Sequence, residues 1–257
     1  MTAKEPLILL TNDDGIHAEG LRYLRMAAEK LGQAWIVAPE TEQSAVGHSI
    51  TLYDPIKVHE MTKNGTFYGY GIGGTPADSV KLGLYSLLPR TPDLVISGIN
   101  NGANLGINVL YSGTVSAATE AAILGVPSLA VSVAKKKDPP FEWVLPHVEI
   151  LARWVLKNGL PRGVALNVNV PALPPEQVRG YKITRQGLAR FRESFEQRED
   201  PRGNHYYWLS GEPTARETGE GIDVTAVTDG YVSVTPLFYD LTAHSHMKEL
   251  ACSLKNL

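Results

Sequence analysis

Apolar and polar positions in this chain switch repeatedly between strand-like runs and helical spacing, and the first switch comes early. Leu7-Ile8-Leu9-Leu10 is an unbroken apolar run that ends on Thr11-Asn12-Asp13-Asp14-Gly15. A short run of this kind, closed by a turn, reads as a strand buried on both faces. Leu21, Leu24, Ala28 and Leu31 then recur at helical spacing, and Gly32 is expected to end that helix. Ala34 to Ala38 is a second apolar strand, stopped by Pro39. This strand–helix–strand opening predicts a parallel, doubly wound α/β sheet. Ile50–Leu52, Ile56–His59 and Thr66–Tyr70 have the pattern of short strands, joined by turns at Asp54-Pro55 and Asn64-Gly65. A helix with Val80, Leu84, Leu87 and Leu88 on its buried face should follow, with Thr75 as N-cap, Pro76 at N1 and Asp78 at N3. Further strands are expected at 93–97, 127–133, 164–170 and 230–237, with helices at 111–124 and 141–156 between them.

Pro171 to Pro175 marks a change of character. Residues 1–175 read as the catalytic core, and 176–257 as an oligomerisation arm with a C-terminal segment that returns to the core. Arg185 to Glu220 is rich in Arg, Glu and Gly, with Tyr206-Tyr207-Trp208 embedded. Aromatics exposed in such a segment suggest a subunit contact. The 257 residues suit one large α/β domain or a domain with an appendage. A net charge of -3 implies no general attraction to nucleic-acid duplexes or membranes. Cys252 is the single cysteine, so no internal disulfide can form and a reducing compartment fits. No apolar run approaches membrane-spanning length, and the first strand begins too early for a signal peptide. A cytoplasmic protein is expected.

The polar stretches at the expected strand ends carry the chemistry. Open α/β sheets bind ligands just beyond the carboxyl ends of their strands. Asp13 and Asp14 stand there. One helix cap needs one Asx side chain, and three in a row exceed that need. The loop 39–49 after the second strand holds Ser44, Gly47 and His48. Beyond Ser97, the stretch 98–108 has three glycines and four asparagines, a composition expected to form no regular structure. Ser112-Gly113-Thr114 opens a helix and offers free N–H groups, two hydroxyls and the positive end of a dipole, which suits an anion. Asp13, Asp14, Ser44 and Asn100 supply oxygen ligands only, the donor set of hard divalent ions such as Mg²⁺ or Mn²⁺. Carboxylates beside an anion-binding helix start imply hydrolysis of a phosphate monoester by direct attack of water. Gly69-Tyr70-Gly71-Ile72-Gly73-Gly74 matches G-x-G-x-x-G, the dinucleotide fingerprint. That fingerprint belongs after the first strand, where two carboxylates would repel a pyrophosphate, so it reads as a Gly-rich entry to a helix. His244 and His246 follow Asp240 in what reads as a solvated tail.

Taken together, Thr11–Gly15, Ala38-Pro39 with Ser44 and Gly47, Gly74–Asp78, Ser97–Gly106, Tyr111–Val115 and Gly230–Leu237 resemble the SurE family, the survival-protein nucleotidases. The match runs in order over nearly the whole chain. The resemblance implies a three-layer Rossmann-like α/β core with a mostly parallel sheet, plus a C-terminal β-hairpin or swapped arm. It implies a 5′-nucleotidase, a metal-dependent phosphatase acting on nucleoside 5′- and 3′-monophosphates, with polyphosphate trimmed by some members. It implies one divalent ion per subunit, Mg²⁺ or Mn²⁺, and a homodimer or homotetramer with exchanged C-terminal segments. The family's metal ligands fall on Asp13, Asp14, Ser44 and Asn100, and a family histidine falls on His244. Asp13, Asp14 and His244 are the expected catalytic residues. Asn12, Gly47, Asn100, Asn104, Ser112, Gly113 and Thr114 are the expected substrate and phosphate ligands. Ser79 replaces a frequent Cys, and Ile107-Asn108 stands where acidic residues are common. A non-catalytic nucleotide sensor and a dinucleotide-binding oxidoreductase are the competing readings.

Overall fold

The structure, a computed structural model, describes residues 4–134, 136–188, 191–213 and 219–255. Its centre is β1 (Leu7–Thr11), buried at every position. An apolar run without alternation has no face to turn to water, so it must lie between helical layers. β2 (Gln33–Pro39) pairs with it in parallel on one side and β5 (Leu94–Asn101) on the other. β4 (Thr66–Ile72), β6 (Ser128–Val133) and β7 (Val164–Val170) extend the parallel sheet. β3 (Val58–Lys63) closes one edge antiparallel to β4. At the other edge β11 (Val232–Phe238) lies antiparallel to β7, and β8 (Tyr181–Ile183) lies parallel to β11. The resulting nine-stranded order is β3-β4-β2-β1-β5-β6-β7-β11-β8.

Side-chain alternation along β1 divides the core in two. Ile8 and Leu10 pack with Leu21 and Leu24 of α1 (Glu19–Ala28) and with Val144 and Val148 of α4 (Phe141–Asn158). Leu9 faces the other way, onto Val80 of α2 (Pro76–Leu82) and Ala117 and Ala121 of α3 (Gly113–Ile123). The architecture is therefore helix, sheet, helix, the expected three-layer α/β class. Two further helices, α5 (Asp223–Thr228) and α6 (Met247–Leu254), belong to the C-terminal part. β9 (Phe191–Glu199) and β10 (His205–Pro213) form a separate antiparallel hairpin. Phe195, Tyr207, Trp208 and Leu209 on it are exposed. No helix among the described residues is long and apolar enough to cross a membrane.

Three local expectations need correction. Ile50–Leu52 is no strand, and Ile50 and Leu52 are exposed. The Thr51 N–H and hydroxyl both donate to the Asp78 carboxylate, so this segment's polar groups serve a helix cap instead of a ladder. Gly32 is no C-cap, since α1 ends at Ala28. Its hydrogen faces the Pro6 carbonyl, and a Cβ there would lie 2.2 Å from that oxygen, so this glycine serves close packing. The stretch 98–108 is partly regular: β5 continues through Asn101, and Gly106–Leu110 forms a 3₁₀ turn. The expected cap at the start of α2 is present as a reciprocal capping box between Thr75 and Asp78.

Candidate active site

The chain leaves β1 for β2 on one side and crosses later to β5 on the other, so the strand order reverses at β1. A crevice opens at such a switch point beyond the strand ends. Here it is a cavity of about 370 Å³ lined by Asp13 and Asp14 after β1, by Glu42 and Ser44 after β2, and by Asn100, Asn101 and Asn104 from β5 and its loop. Asn108, Tyr111 and Ser112 complete the lining beside α3. A second cavity of about 320 Å³, lined by His17, Glu19, Arg22, Thr62, Lys63 and Tyr68, has no carboxylate pair.

The two aspartates are held differently. Asp13 is buried and accepts a hydrogen bond from the Thr114 hydroxyl at 2.5 Å. Gly113 permits this contact, because a Cβ on it would lie 2.7 Å from Asp13 Cβ. Burial raises the Asp13 carboxyl above its ordinary range, bonds from Thr114 pull the other way, and Glu42 raises it further. Asp14 receives no hydrogen bond among the described residues. Burial, then the neighbouring charges of Asp13 and Glu42, push its carboxyl up to about 6. Crowding ionisable carboxylates without a positive partner is costly. A bound cation would relieve that cost.

Asn100 Nδ2 donates to the Gly102 carbonyl at 2.7 Å, which leaves its side-chain oxygen uncommitted on the cavity wall. Ser44 Oγ donates to Glu42 Oε1 at 2.5 Å and keeps its lone pairs. Asn12 Oδ1, Thr11 Oγ1 and Ser97 Oγ are buried at these strand ends without a partner. Among the described residues no group of three or more His, Cys, Asp and Glu side chains is placed to hold a metal. The donor set is instead two carboxylates, a hydroxyl and an amide oxygen, which fits a hard divalent ion and not zinc-type N/S coordination.

Asp13, Asp14, Ser44, Asn100, Asn104 and Ser112 therefore share one cavity, as the sequence suggested. Several carry other duties than expected. The Ser112 hydroxyl accepts the Val115 N–H as N-cap of α3, and the Thr114 hydroxyl is engaged with Asp13. The positive start of α3 thus receives a protein carboxylate. Gly47 donates its N–H to the Tyr111 carbonyl and docks its loop. Asn12 closes its own turn by donating to the Gly15 carbonyl. Asn104 Nδ2 donates to Ser132 Oγ, and the Asn104 carbonyl accepts from Asn167 and Asn169, so it anchors the loop from below. His244 is not brought to the cavity. It is exposed and paired through Nε2 with Asp240 at 2.7 Å.

Sequence reading passed over Glu42 and Tyr111. Glu42 stands two residues before Ser44 in a loop already expected at a strand end, which was the available signal. It also passed over the C-terminal clamp on the Asn/Gly loop. Asp223 is fully buried and accepts the N–H groups of Gly106, Gly187 and Val224, while Gln186 donates to the Gly106 carbonyl. The segment after residue 175 thus helps to build the site.

Fold and site together define a three-layer α/β protein with a carboxylate pair at its topological switch point, set against the start of a helix. The chain belongs to the SurE family: the model for survival protein SurE matches residues 8–193. A protein named 5′-nucleotidase SurE from Syntrophobacter fumaroxidans is 49% identical over 243 residues, covering 95% of this chain and 97% of that one. One of the same name from Moorella thermoacetica is 47% identical over 252 residues, covering 98% and 97%. The crystal structure of a SurE protein from Aquifex aeolicus is similar with a TM-score of 0.83 at 43% identity, covering 95% of this chain and 98% of that one. The resemblance read from the motifs is borne out, as is the expectation of an enzyme.

Proposed function

We propose that this protein is a phosphomonoesterase, dependent on Mg²⁺ or Mn²⁺, that hydrolyses nucleoside 5′- and 3′-monophosphates to nucleoside and phosphate. The observation that carries this reading is Asp14: a half-buried carboxylate on the cavity wall, without a hydrogen bond among the described residues and raised to about 6 by burial and by Asp13 beside it. The shared name of the relatives supports the substrate class. Asp13, Asp14, Ser44 and Asn100 are the residues that would hold one ion per chain. Such an ion would neutralise phosphoryl oxygens and acidify a water. Thr114 keeps Asp13 fixed, so no reorganisation of that carboxylate is needed as charge develops. Ser112, whose hydroxyl proton is free to turn outward, would meet the phosphoryl group, while the Thr114 end of the helix start is taken up by Asp13. Tyr111, half-exposed on the cavity rim, offers its ring to the nucleoside. Linear polyphosphate ends in a chemically similar phosphoryl group and is a second substrate class. Within one chain His244 lies outside the cavity, paired with Asp240.

Protein stripped with EDTA should release no phosphate from AMP, and Mg²⁺ or Mn²⁺ should restore release. Release that persists without metal, or none with either ion, would contradict the reading. The oxidoreductase alternative loses its basis in β4. Gly69 and Gly71 lie inside that strand, and a Cβ on either would strike Ile36 or Met61.

The exposed apolar side chains of the β9–β10 hairpin also support a homodimer or homotetramer. Cutting the chain at Val170 would not test this cleanly, because β11 pairs with β7 along six residue pairs. A charge on the hairpin would. Trp208→Glu should lower the sedimenting mass to that of a smaller species, since a desolvated charge opposes burial at a contact. An unchanged oligomer would place the contact elsewhere.

A further inference from the structure

One ion cluster lies beside the cavity without lining it. Glu120 of α3 is 4% exposed. Its Oε2 is 2.7 Å from His48 Nε2, and its Oε1 accepts from Lys81 Nζ at 2.6 Å. Burial pushes the Glu120 carboxyl up, but the bonds from His48 and Lys81 outweigh it and hold the group below its ordinary value. Glu120 is therefore ionised. The Thr119 hydroxyl, which donates to the Val115 and Ser116 carbonyls of its own helix, lies 3.4 Å from His48 Nδ1. The three side chains come from three separate elements: the loop after β2, the middle of α3 and the end of α2.

The loop after β2 is the one that carries Ser44. Its fastenings are few and lie to either side of that residue. Before it, the Gln43 N–H donates to the Asp13 carbonyl at 2.7 Å. After it, Gly47 donates to the Tyr111 carbonyl, His48 reaches Glu120, and Thr75 Oγ1 donates to the Ser49 carbonyl at 2.8 Å. Ser44, Ala45 and Val46 span the gap, with Ala45 at φ 56. His48 is the loop side chain that bonds to α3. Asp13 is referenced to the same helix through Thr114, six positions before Glu120. One rigid element thus sets both sides of the candidate metal site.

We infer that His48, held by Glu120 and Lys81, is a positioning residue that fixes the Ser44 loop at its working distance from Asp13. This rests on the reading of Ser44 and the aspartates as metal ligands. It also explains why a carboxylate is buried in α3 with two cation-capable partners: the cluster is a strut between the metal loop and the helix. Outer partners of this kind typically change metal affinity on the order of 10–100-fold when removed.

The test compares four proteins: wild type, His48→Ala, His48→Gln and Ser44→Ala. Mn²⁺ binding is read directly from the free-ion EPR signal, and kcat and KM for AMP are measured at saturating Mn²⁺. His48→Ala should weaken Mn²⁺ binding on the order of 10–100-fold and raise KM, with kcat kept within about threefold. His48→Gln, whose amide can still donate to Glu120, should recover most of both losses. If His48→Ala binds Mn²⁺ like wild type while Ser44→Ala does not, the strut is wrong and the metal reading stands. A failure of Gln to recover what Ala loses also overturns the strut. If Ser44→Ala binds like wild type, the ligand assignment itself is wrong, and the strut falls with it.

Discussion

Asp14→Asn should abolish metal-dependent turnover and, in the same protein, raise the thermal stability of the metal-free fold. The activity loss should be on the order of 10³-fold or more, since a ligand itself is removed and not merely its support. The stability gain follows from the raised carboxyl. Asp14 is pushed from 3.8 to about 6 by burial and by the charges of Asp13 and Glu42. A carboxylate raised on folding destabilises the native state where it is charged. The penalty is full above the folded value of about 6, shrinks as pH falls towards 3.8, and vanishes below it. Asparagine removes it at every pH. In EDTA, the variant's melting temperature should therefore exceed the wild type's at about pH 8 and converge with it near about pH 4. A variant that melts lower at pH 8 would mean Asp14 makes a stabilising contact in the folded chain. Saturating Mg²⁺ should reverse the order by stabilising only the wild type.

Gly113→Ala is the second large effect, and its loss of activity should far exceed what its loss of stability explains. Gly113 is the first residue of α3 and has no left-handed backbone angle, so alanine suits the helix. The obstacle is Asp13, whose Cβ would lie 2.7 Å and whose Oδ2 would lie 2.9 Å from the added methyl. The aspartate must move off the Thr114 hydroxyl, and a displacement of about 1 Å at a reacting centre typically costs on the order of 10²-fold in rate. A loss on the order of 10²–10³ in kcat/KM together with a lowered melting temperature is expected, because the atom met is Asp13 Cβ and not the tip of a flexible side chain. Near-normal turnover would show that Asp13 has slack the close contact does not suggest.

These two residues also mark how much could be read from sequence. The strand–helix alternation was legible because Leu7–Leu10 is apolar on both faces, which a central parallel sheet satisfies, and because Pro127–Val133 and Val164–Val170 are short apolar-rich runs of strand length. Asp13 and Asp14 were legible because the fold rule places strand ends at the ligand crevice. The pairing of Thr114 with Asp13 was not, since it joins residues 101 positions apart and depends on the angle at which α3 meets β1. A Ser-Gly-Thr helix start has the same composition whether it receives a phosphate or a carboxylate. Ile50–Leu52 misled because three β-prone residues look alike whether their N–H groups meet a neighbouring strand or the Asp78 cap. Gly32 misled because close packing against Pro6 and a helix C-cap call for the same residue. His244 sits beyond the sheet in a segment with no buried residue, where periodicity carries no information on what the side chain faces.

Crystals soaked in Mn²⁺ and measured at the manganese absorption edge give the most direct test. One anomalous peak per chain, in contact with the carboxylates of Asp13 and Asp14 and with the side-chain oxygen of Asn100, is the expected result. A manganese peak elsewhere in the molecule, or none in a cavity open to solvent, would contradict the assignment of this carboxylate pair as the metal centre.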